Sequence, residues 1–243
     1  MATFTAFANI LPDPANPITD AGDTSPTGTP GPGFSAMNFR SVTETQVSRT
    51  VSGRGITRDG GSQRWEFSIS YNPMFREQFD PVDTFLAGRN PRKDPFYVIL
   101  PQHSRPKDAA FATYAARFTI TAGALHGPGS SVLLAQASQP FTSYARPGDM
   151  FTITDNNDYN HQKVYKVTAV ERNAYYQAGS NQPTTTQMRL HVSPPLQREV
   201  SLGATINFIN PKFRVIAKSD VQEYSLNTDN LYQFSLDLEE LQP

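Results

Sequence analysis

The sequence contains no cysteine among its 243 residues. A disulfide framework, a thiolate zinc site and a thiol nucleophile are therefore excluded. Histidine is scarce, and none of the four histidines is spaced from another as paired metal ligands are; they are His103, His126, His161 and His191. No apolar run approaches the roughly 18 residues that cross a membrane, and the first residues lack the basic start of a secretion signal. We therefore expect an unprocessed chain without a membrane-spanning segment.

Catalytic motifs are also missing. The sequence has neither a Gly-x-Ser-x-Gly elbow nor a phosphate-cradling glycine loop, although a carboxylate pair for glycan hydrolysis stays open. Asp155, Asp158 and Asn160 could supply oxygens to a calcium ion, but the segment lacks the glycine and the terminal glutamate of the EF-hand pattern. A local turn explains these residues better. The sequence thus predicts a protein that is not an enzyme, with no catalytic residue, cofactor or metal site.

The composition favours short strands joined by turns, because 20 Pro and 15 Gly are spread along the chain and interrupt long helices. Between residues 63 and 71, polar residues alternate with Trp65, Phe67, Ile69 and Tyr71. This period of two predicts a strand with one buried face, where Trp65 packs in the core, and one solvated face that includes Glu66. We therefore predict an all-β fold.

One short helix is predicted after this strand. Asn72 and Pro73 are typical of a helix start, and apolar residues then recur at helical spacing until Gly88, which is typical of a helix end. Pro81 lies inside this run and predicts a kink or a break. Before the strand, Asp59-Gly60 and Gly60-Gly61 indicate a hairpin turn, and Gly53-Arg54-Gly55 is also predicted to be a turn.

The remaining signals divide the chain into an arm and two β domains. Residues 109–209 alternate strand-like segments with Gly-, Pro- and Asn-rich loops, which predicts an inserted small β-barrel or sandwich. Residues 40–108 and 210–243 are predicted to form one β domain, because the alternating strand 231–238 needs the early strands as its sheet. Residues 1–39 are predicted to be an extended arm.

The arm is too rich in Pro, Gly and Asp to fold by itself. We expect a neighbouring subunit to hold it, and the alternative is that it folds back onto its own domain. It carries three acidic and no basic residues, whereas residues 218–243 carry six acidic and one basic residue, and the middle of the chain is basic. This distribution suits head-to-tail contact between identical copies, with a solvated surface as the alternative, and is not basic enough to predict nucleic-acid binding.

Short motifs in both predicted domains resemble those of bacteriophage tail proteins. In the first domain they are SRTVSGR (48–54), GSQRW (61–65), YNPM (71–74) and FDPVDTFL (79–86). In the second region they are GSSVLL (129–134), RPGD (146–149), KVYKVT (163–168), SPPL (193–196) and NPKFRV (210–215). Together, over most of residues 40–243, they resemble phage distal tail and minor tail structural proteins. The resemblance implies that residues 40–108 and 210–243 form a tail-tube-like β-sandwich or barrel domain. It also implies a hexameric ring in the virion, assembled in the host cytoplasm, whose partners are tail tube, hub, tip or fibre proteins.

The predicted function is therefore structural, as a ring at the adaptor or baseplate position that joins the tail tube to the tail tip. Arg49, Arg54 and Arg58 lie in a Gly-rich hairpin and are the candidate subunit-interface residues, since arginine is favoured at interfaces. Solvated loop charges are the alternative for these residues.

A second hypothesis is that the inserted domain binds a glycan or receptor on the host surface. Four tyrosines in predicted loops favour it, namely Tyr144, Tyr159, Tyr175 and Tyr176. A third, a small depolymerase, is disfavoured by the missing catalytic motifs.

Overall fold

The computed structural model describes residues 8–176, 182–219, 223–227 and 229–241, with the backbone alone at residues 59–62. The fold is mainly β, as predicted, and it combines a sheet with a separate closed barrel. The chain forms two compact units. Unit 1 comprises the described residues up to Val98 together with those from Arg214, and unit 2 runs from Ile99 to Phe213. Neither helix in the described part of the chain is long and apolar enough to cross a membrane.

Unit 1 is built around one twisted sheet. Its elements are β1 (Phe34–Arg49), β2 (Gly55–Tyr71), α1 (Arg76–Ala87), β3 (Phe96–Ile99), β10 (Lys212–Ala217), β11 (Tyr224–Leu226) and β12 (Tyr232–Glu240). The strands lie in the order β1-β2-β12-β10-β3, and β11 pairs with β12 off this path. β1 therefore begins at Phe34, inside the segment that the sequence analysis assigned to the arm.

The alternating strand packs as the sequence predicted. Trp65, Phe67, Ile69 and Tyr71 are all buried on one face of β2, so the expected core role of Trp65 is confirmed. Helix α1 covers the sheet with its apolar face. Its Phe79 ring lies 5.6 Å from the ring of Phe234 on β12, and such aromatic contacts add to the free energy of apolar burial.

The predicted start of α1 was wrong. The helix begins at Arg76 rather than at Asn72-Pro73, and the residue before it, Phe75, gives no side-chain cap. Of the two effects predicted for Pro81, a break does not occur, since the helix continues from Arg76 to Ala87. Pro81 falls in the second turn and is buried, so its ring contributes to packing. Gly88 follows the last helical residue, as predicted.

The proline-rich amino-terminal segment, residues 8–33, folds back onto unit 1, the alternative rather than the expected arrangement. Leu11 is buried, and its backbone N–H donates to the carbonyl of Tyr97 at 2.8 Å. The Tyr97 N–H in turn donates to the carbonyl of Asn9 at 2.8 Å. This segment thus lies along β3, at one edge of the sheet, and satisfies backbone groups that would otherwise be open there.

Unit 2 is a closed six-stranded barrel preceded by a helix, which resolves the choice between barrel and sandwich. Its elements are α2 (Ala109–Arg117), β4 (Ile120–Ala122), β5 (Val132–Ala137), β6 (Met150–Thr154), β7 (Val164–Glu171), β8 (Gln187–Ser193) and β9 (Thr205–Asn207). The strands close in the order β4-β5-β8-β7-β6-β9. All are antiparallel.

Helix α2 was not predicted from the sequence, where only one helix was expected. The carboxylate of Asp108 caps it, accepting from the backbone N–H groups of Ala110 at 2.9 Å and Phe111 at 3.1 Å. Phe111 then enters the barrel core, with its ring 5.0 Å from that of Phe208. The helix therefore contributes directly to the core of unit 2.

Candidate assembly interface

A long two-stranded hairpin, formed by β1 and β2, projects from the sheet of unit 1. Strand β12 pairs with β2 only between Glu66 and Ser70. Within the described part of the chain, about ten residues at the end of each hairpin strand therefore have a strand neighbour on one side only. At about 3.3 Å per residue, this part of the hairpin is roughly 30 Å long. An isolated two-stranded hairpin is marginally stable in water, so this geometry favours contact with another molecule.

The hairpin turns at residues 50–54 and not at the predicted glycine pair. The Thr50 N–H donates to the carbonyl of Arg54 at 3.0 Å, and the Gly53 N–H donates to the carbonyl of Thr50 at 2.8 Å. Gly53 has a φ of 81°, a conformation that glycine adopts without steric penalty. The glycines at 60 and 61 lie within β2.

A register irregularity divides the hairpin into a base and a tip. Thr43 pairs with Gln63, whereas Thr45 pairs with Asp59, so β2 advances four residues while β1 advances two. Such irregularities bend a ribbon and increase its twist. We call residues 45–58 the hairpin tip and treat the strands before this point as the base.

The hairpin tip exposes large apolar side chains to solvent. Val47 is 66% exposed, Ile56 is 54% exposed and Val51 is fully exposed. Val47 pairs with Thr57, and Ile56 pairs with Ser48. Because neighbouring residues of a strand point to opposite faces, Val47 and Ile56 lie on opposite faces of the ribbon. Both faces of the tip therefore present apolar surface to solvent.

The three predicted interface arginines all lie in this tip and are exposed. Arg49 pairs with Gly55 and Arg58 pairs with Gln46, which places the two arginines on opposite faces, and Arg54 lies in the turn. Residues 45–58 contain no aspartate or glutamate. The three arginines give the hairpin tip a net charge of +3. They lie beside the exposed side chains of Val47, Val51 and Ile56.

A buried glutamate anchors the hairpin base, and sequence reasoning missed it. The alternating pattern predicted Glu66 on a solvated face, yet its side chain is only 6% exposed. Its Oε2 lies 2.6 Å from Arg40 of β1 and 2.6 Å from Lys218, which follows β10, and its Oε1 lies 3.2 Å from Arg64. The hydrogen bond from Lys218, with those from Arg40 and Arg64, lowers the pKa of Glu66 to about 2 against the opposing effect of burial.

The outer edge of β1 remains open. No strand in the described part of the chain pairs with the side of β1 that faces away from β2. The opposite edge of the sheet, at β3, is occupied by the folded-back segment 8–33. An uncovered long edge strand is a template for pairing with another chain, and this one continues directly into the hairpin tip.

Unit 2 carries a separate cleft of about 430 Å³. Two of the four predicted tyrosines, Tyr144 and Tyr175, line it. The guanidinium of Arg172 lies between their rings, 5.2 Å from the centroid of Tyr144 and 4.4 Å from that of Tyr175. Tyr159 lies outside the cleft, and the Tyr176 hydroxyl donates to the carboxylate of Glu171.

Most residues considered for metal binding or catalysis are engaged in local hydrogen bonds. In the 155–160 loop, Asp155 accepts from the N–H groups of Asn157 and Ser201, and Asp158 pairs with Arg198 at 2.5 Å. Within the described ranges no group of three or more His, Asp or Glu side chains could hold a metal ion.

Three of the four histidines likewise make hydrogen bonds to their surroundings. His161 lies 2.9 Å from the hydroxyl of Tyr165, and burial lowers its pKa. The Nε2 of His126 accepts from the Leu134 N–H at 3.0 Å, and His191 lies 2.6 Å from Glu171. These contacts satisfy the hydrogen-bonding groups of polar side chains in the barrel, which is typical of a structural role.

A scan against protein-family models and a search of the curated proteins each give no match to this sequence.

Proposed function

We propose that this chain is a non-enzymatic structural subunit of a bacteriophage tail. Copies of it close into a ring, at the distal tail, adaptor or baseplate position, which joins the tail tube to the tip or hub. The resemblance of its short motifs supports the tail assignment and the hexameric stoichiometry. The observation that carries the assembly role is the projecting hairpin tip, which exposes arginine and apolar side chains on both faces.

A closed ring suits this distribution of surfaces. The hairpin and the open edge of β1 form one side of unit 1, so a contact that they make with a different surface of the next copy is heterologous. Heterologous contacts close into rings when the rotation between copies is right. Closure would also cover each β1 edge and so limit uncontrolled strand pairing.

Shortening the hairpin tests the proposal. Replacing residues 44–62 with Asn-Gly joins Thr43 to Gln63, which already form a register pair, through a turn that favours hairpins. We expect this variant to fold but to sediment as a monomer, whereas the full chain forms a discrete larger species. Fluorescence of Trp65, which the variant retains, checks folding. If the shortened chain assembles as the full chain does, the hairpin is not the assembly element.

A point-substitution pair controls for loss of apolar surface in general. V47S/I56S removes two exposed apolar residues from the tip, and L125S/L202S removes two that are 63% and 70% exposed in unit 2. Sedimentation velocity of the first variant is expected to reveal assembly weakened at least tenfold, a loss of about 1.4 kcal/mol. The second variant is expected to assemble normally. Equal behaviour of the two variants would contradict the assignment of the interface to the tip.

The cleft in unit 2 favours a second candidate function, recognition of a host-surface glycan. Tyr144 and Tyr175 offer aromatic faces and Arg172 offers a cation, and a few polar groups in a partly apolar cleft are typical of ligand sites. We expect Y175A to weaken glycan binding at least tenfold, whereas Y159A, which changes an exposed tyrosine outside the cleft, leaves it unchanged. A glycan array followed by titration measures both. Absence of binding to any glycan would remove this candidate.

A further inference from the structure

A second surface of unit 1 is complementary to the hairpin tip. It is a groove of about 990 Å³ between the folded-back amino-terminal segment and helix α1. Ile18 lines it on one wall and Pro81 and Phe85 on the other. The volume lies at the upper end of the roughly 300–1,000 Å³ found for ligand pockets, so the groove is large enough for several side chains. We call it the α1 groove.

The α1 groove is acidic on both walls. Asp20 lines the wall formed by the amino-terminal segment, Glu77 and Asp80 line the helix wall, and Asp94 lies at the end of the groove. Asp80 lies 3.5 Å from Arg76, an exposed side chain, and a pair of this kind in solvent contributes little. Four carboxylates in a concave surface produce a negative potential that attracts cations.

Among the described residues that line the α1 groove, Arg89 is the one cation, and it is held by its own unit. The guanidinium of Arg89 lies 3.7 Å from the ring centroid of Phe85, and its Nη2 donates to the carbonyl of Ala8 at 2.6 Å. Burial lowers the pKa of Arg89, which is the expected effect of an apolar neighbour on a cation. Arg89 therefore joins the two walls, and most of the groove's negative charge remains available to a partner.

We infer that the α1 groove of one copy receives the hairpin tip of the next copy; this inference rests on the proposed assembly function. The tip carries three positive charges and no negative ones, and the groove carries the opposite excess. Arg49 and Arg58 lie on opposite faces of the ribbon, as a ribbon inserted between two acidic walls requires. Val47 and Ile56 likewise project from both faces, and the half-buried Ile18 offers an apolar contact on one wall. Such charge complementarity fixes register and accelerates association.

Charge reversal tests the inference on the full chain. One variant replaces Arg49, Arg54 and Arg58 with Glu, and the other replaces Asp20, Glu77 and Asp80 with Lys. Each variant alone is expected to need at least a hundredfold higher protein concentration to assemble, because like charges then meet in the groove. A mixture of equal amounts should regain assembly, since every contact in an alternating ring again joins opposite charges. Light scattering measures the mass of each sample.

The outcomes separate this inference from the proposed function. If the groove variant assembles like the unmodified chain while the hairpin variant does not, the inference fails and the hairpin remains the assembly element. If neither variant loses assembly, the proposed function fails as well. A mixture that stays monomeric although both variants are folded by Trp65 fluorescence also overturns the inference.

Cysteine cross-linking provides a test that does not depend on charge, because the chain has no cysteine of its own. S52C places a thiol in the hairpin turn, and T84C places one in the α1 groove. Mixing the two single-cysteine chains, distinguished by mass, is expected to give a mixed disulfide dimer on oxidation. S52C mixed with T113C, an exposed position on α2, is the matched control. Equal yields in the two mixtures would contradict the assigned groove.

Discussion

Replacing Glu66 with glutamine is expected to destabilise unit 1 by about 2 to 3 kcal/mol at neutral pH. Glutamine keeps the shape of the side chain but removes the charge that Arg40, Arg64 and Lys218 contact. The cations are partly exposed, so they regain some hydration when the carboxylate is lost, which keeps the effect below that of a fully buried ion pair. Urea unfolding followed by the fluorescence of Trp65, the neighbouring residue and the only tryptophan, measures the change.

The pH dependence gives this prediction a second, independent readout. Because the pKa of Glu66 falls from its ordinary 4.5 to about 2 on folding, the folded state binds fewer protons than the unfolded state between these values. The stabilisation is therefore complete above pH ~4.5 and is lost as the pH falls toward ~2. E66Q should lack this part of the acid transition. E239Q, which changes a partly exposed carboxylate 4.0 Å from Arg64, is the control; a normal acid transition in E66Q would refute the assigned role.

Replacing Phe208 with alanine is expected to destabilise the barrel of unit 2 by about 3 to 5 kcal/mol, the range for large aromatic truncations in a core. Phe208 is buried, and its ring lies 5.0 Å from Phe111 and 5.2 Å from Phe151. The substitution would leave a cavity at the point where α2 joins the barrel. F208L retains most of the volume and should cost about 1.5 kcal/mol or less.

Thermal unfolding followed by circular dichroism measures this series. L202A, which truncates an exposed apolar residue of the same unit, should change the free energy of unfolding by less than about 0.5 kcal/mol. Near-equal effects of F208A and L202A would mean that the aromatic cluster of Phe111, Phe151 and Phe208 does not stabilise the barrel as its packing indicates.

Local patterns predicted those elements whose stability comes from local contacts. The alternation from Trp65 to Tyr71 identified the buried face of β2, because a half-buried strand imposes a period of two whatever its partner. The alternation of strand-like segments with turn-rich loops predicted a small β domain in residues 109–209, although closure into a barrel depends on pairings between distant residues. Gly88 correctly predicted the end of α1.

Three errors have a common physical origin in competing local signals. The glycines at 60 and 61 predict a turn as well as Gly53 does, and the choice between them depends on pairing along the whole hairpin. Asn72 and Pro73 can start a helix, but α1 begins only at Arg76. Helix α2 was missed although Asp108 precedes a run of good helix formers, a capping signal that was available in the sequence.

The features most relevant to function were the least predictable. Glu66 lies on the polar face of β2, and its burial depends on Lys218, which is far away in the sequence. The acidic α1 groove exists only because the amino-terminal segment folds back along β3. The sequence predicted that Arg49, Arg54 and Arg58 lie together in a hairpin. Their distribution over two faces could not be predicted, because it follows from the register of β1 and β2. Their role at a subunit interface stays a prediction.

Native mass spectrometry of the full chain across a dilution series tests the central claim most directly. We expect one discrete closed species of more than two subunits, at an integer multiple of the 26.9 kDa chain mass, which dissociates on dilution and in high salt. A chain that stays at 26.9 kDa at every concentration would contradict assembly through the hairpin.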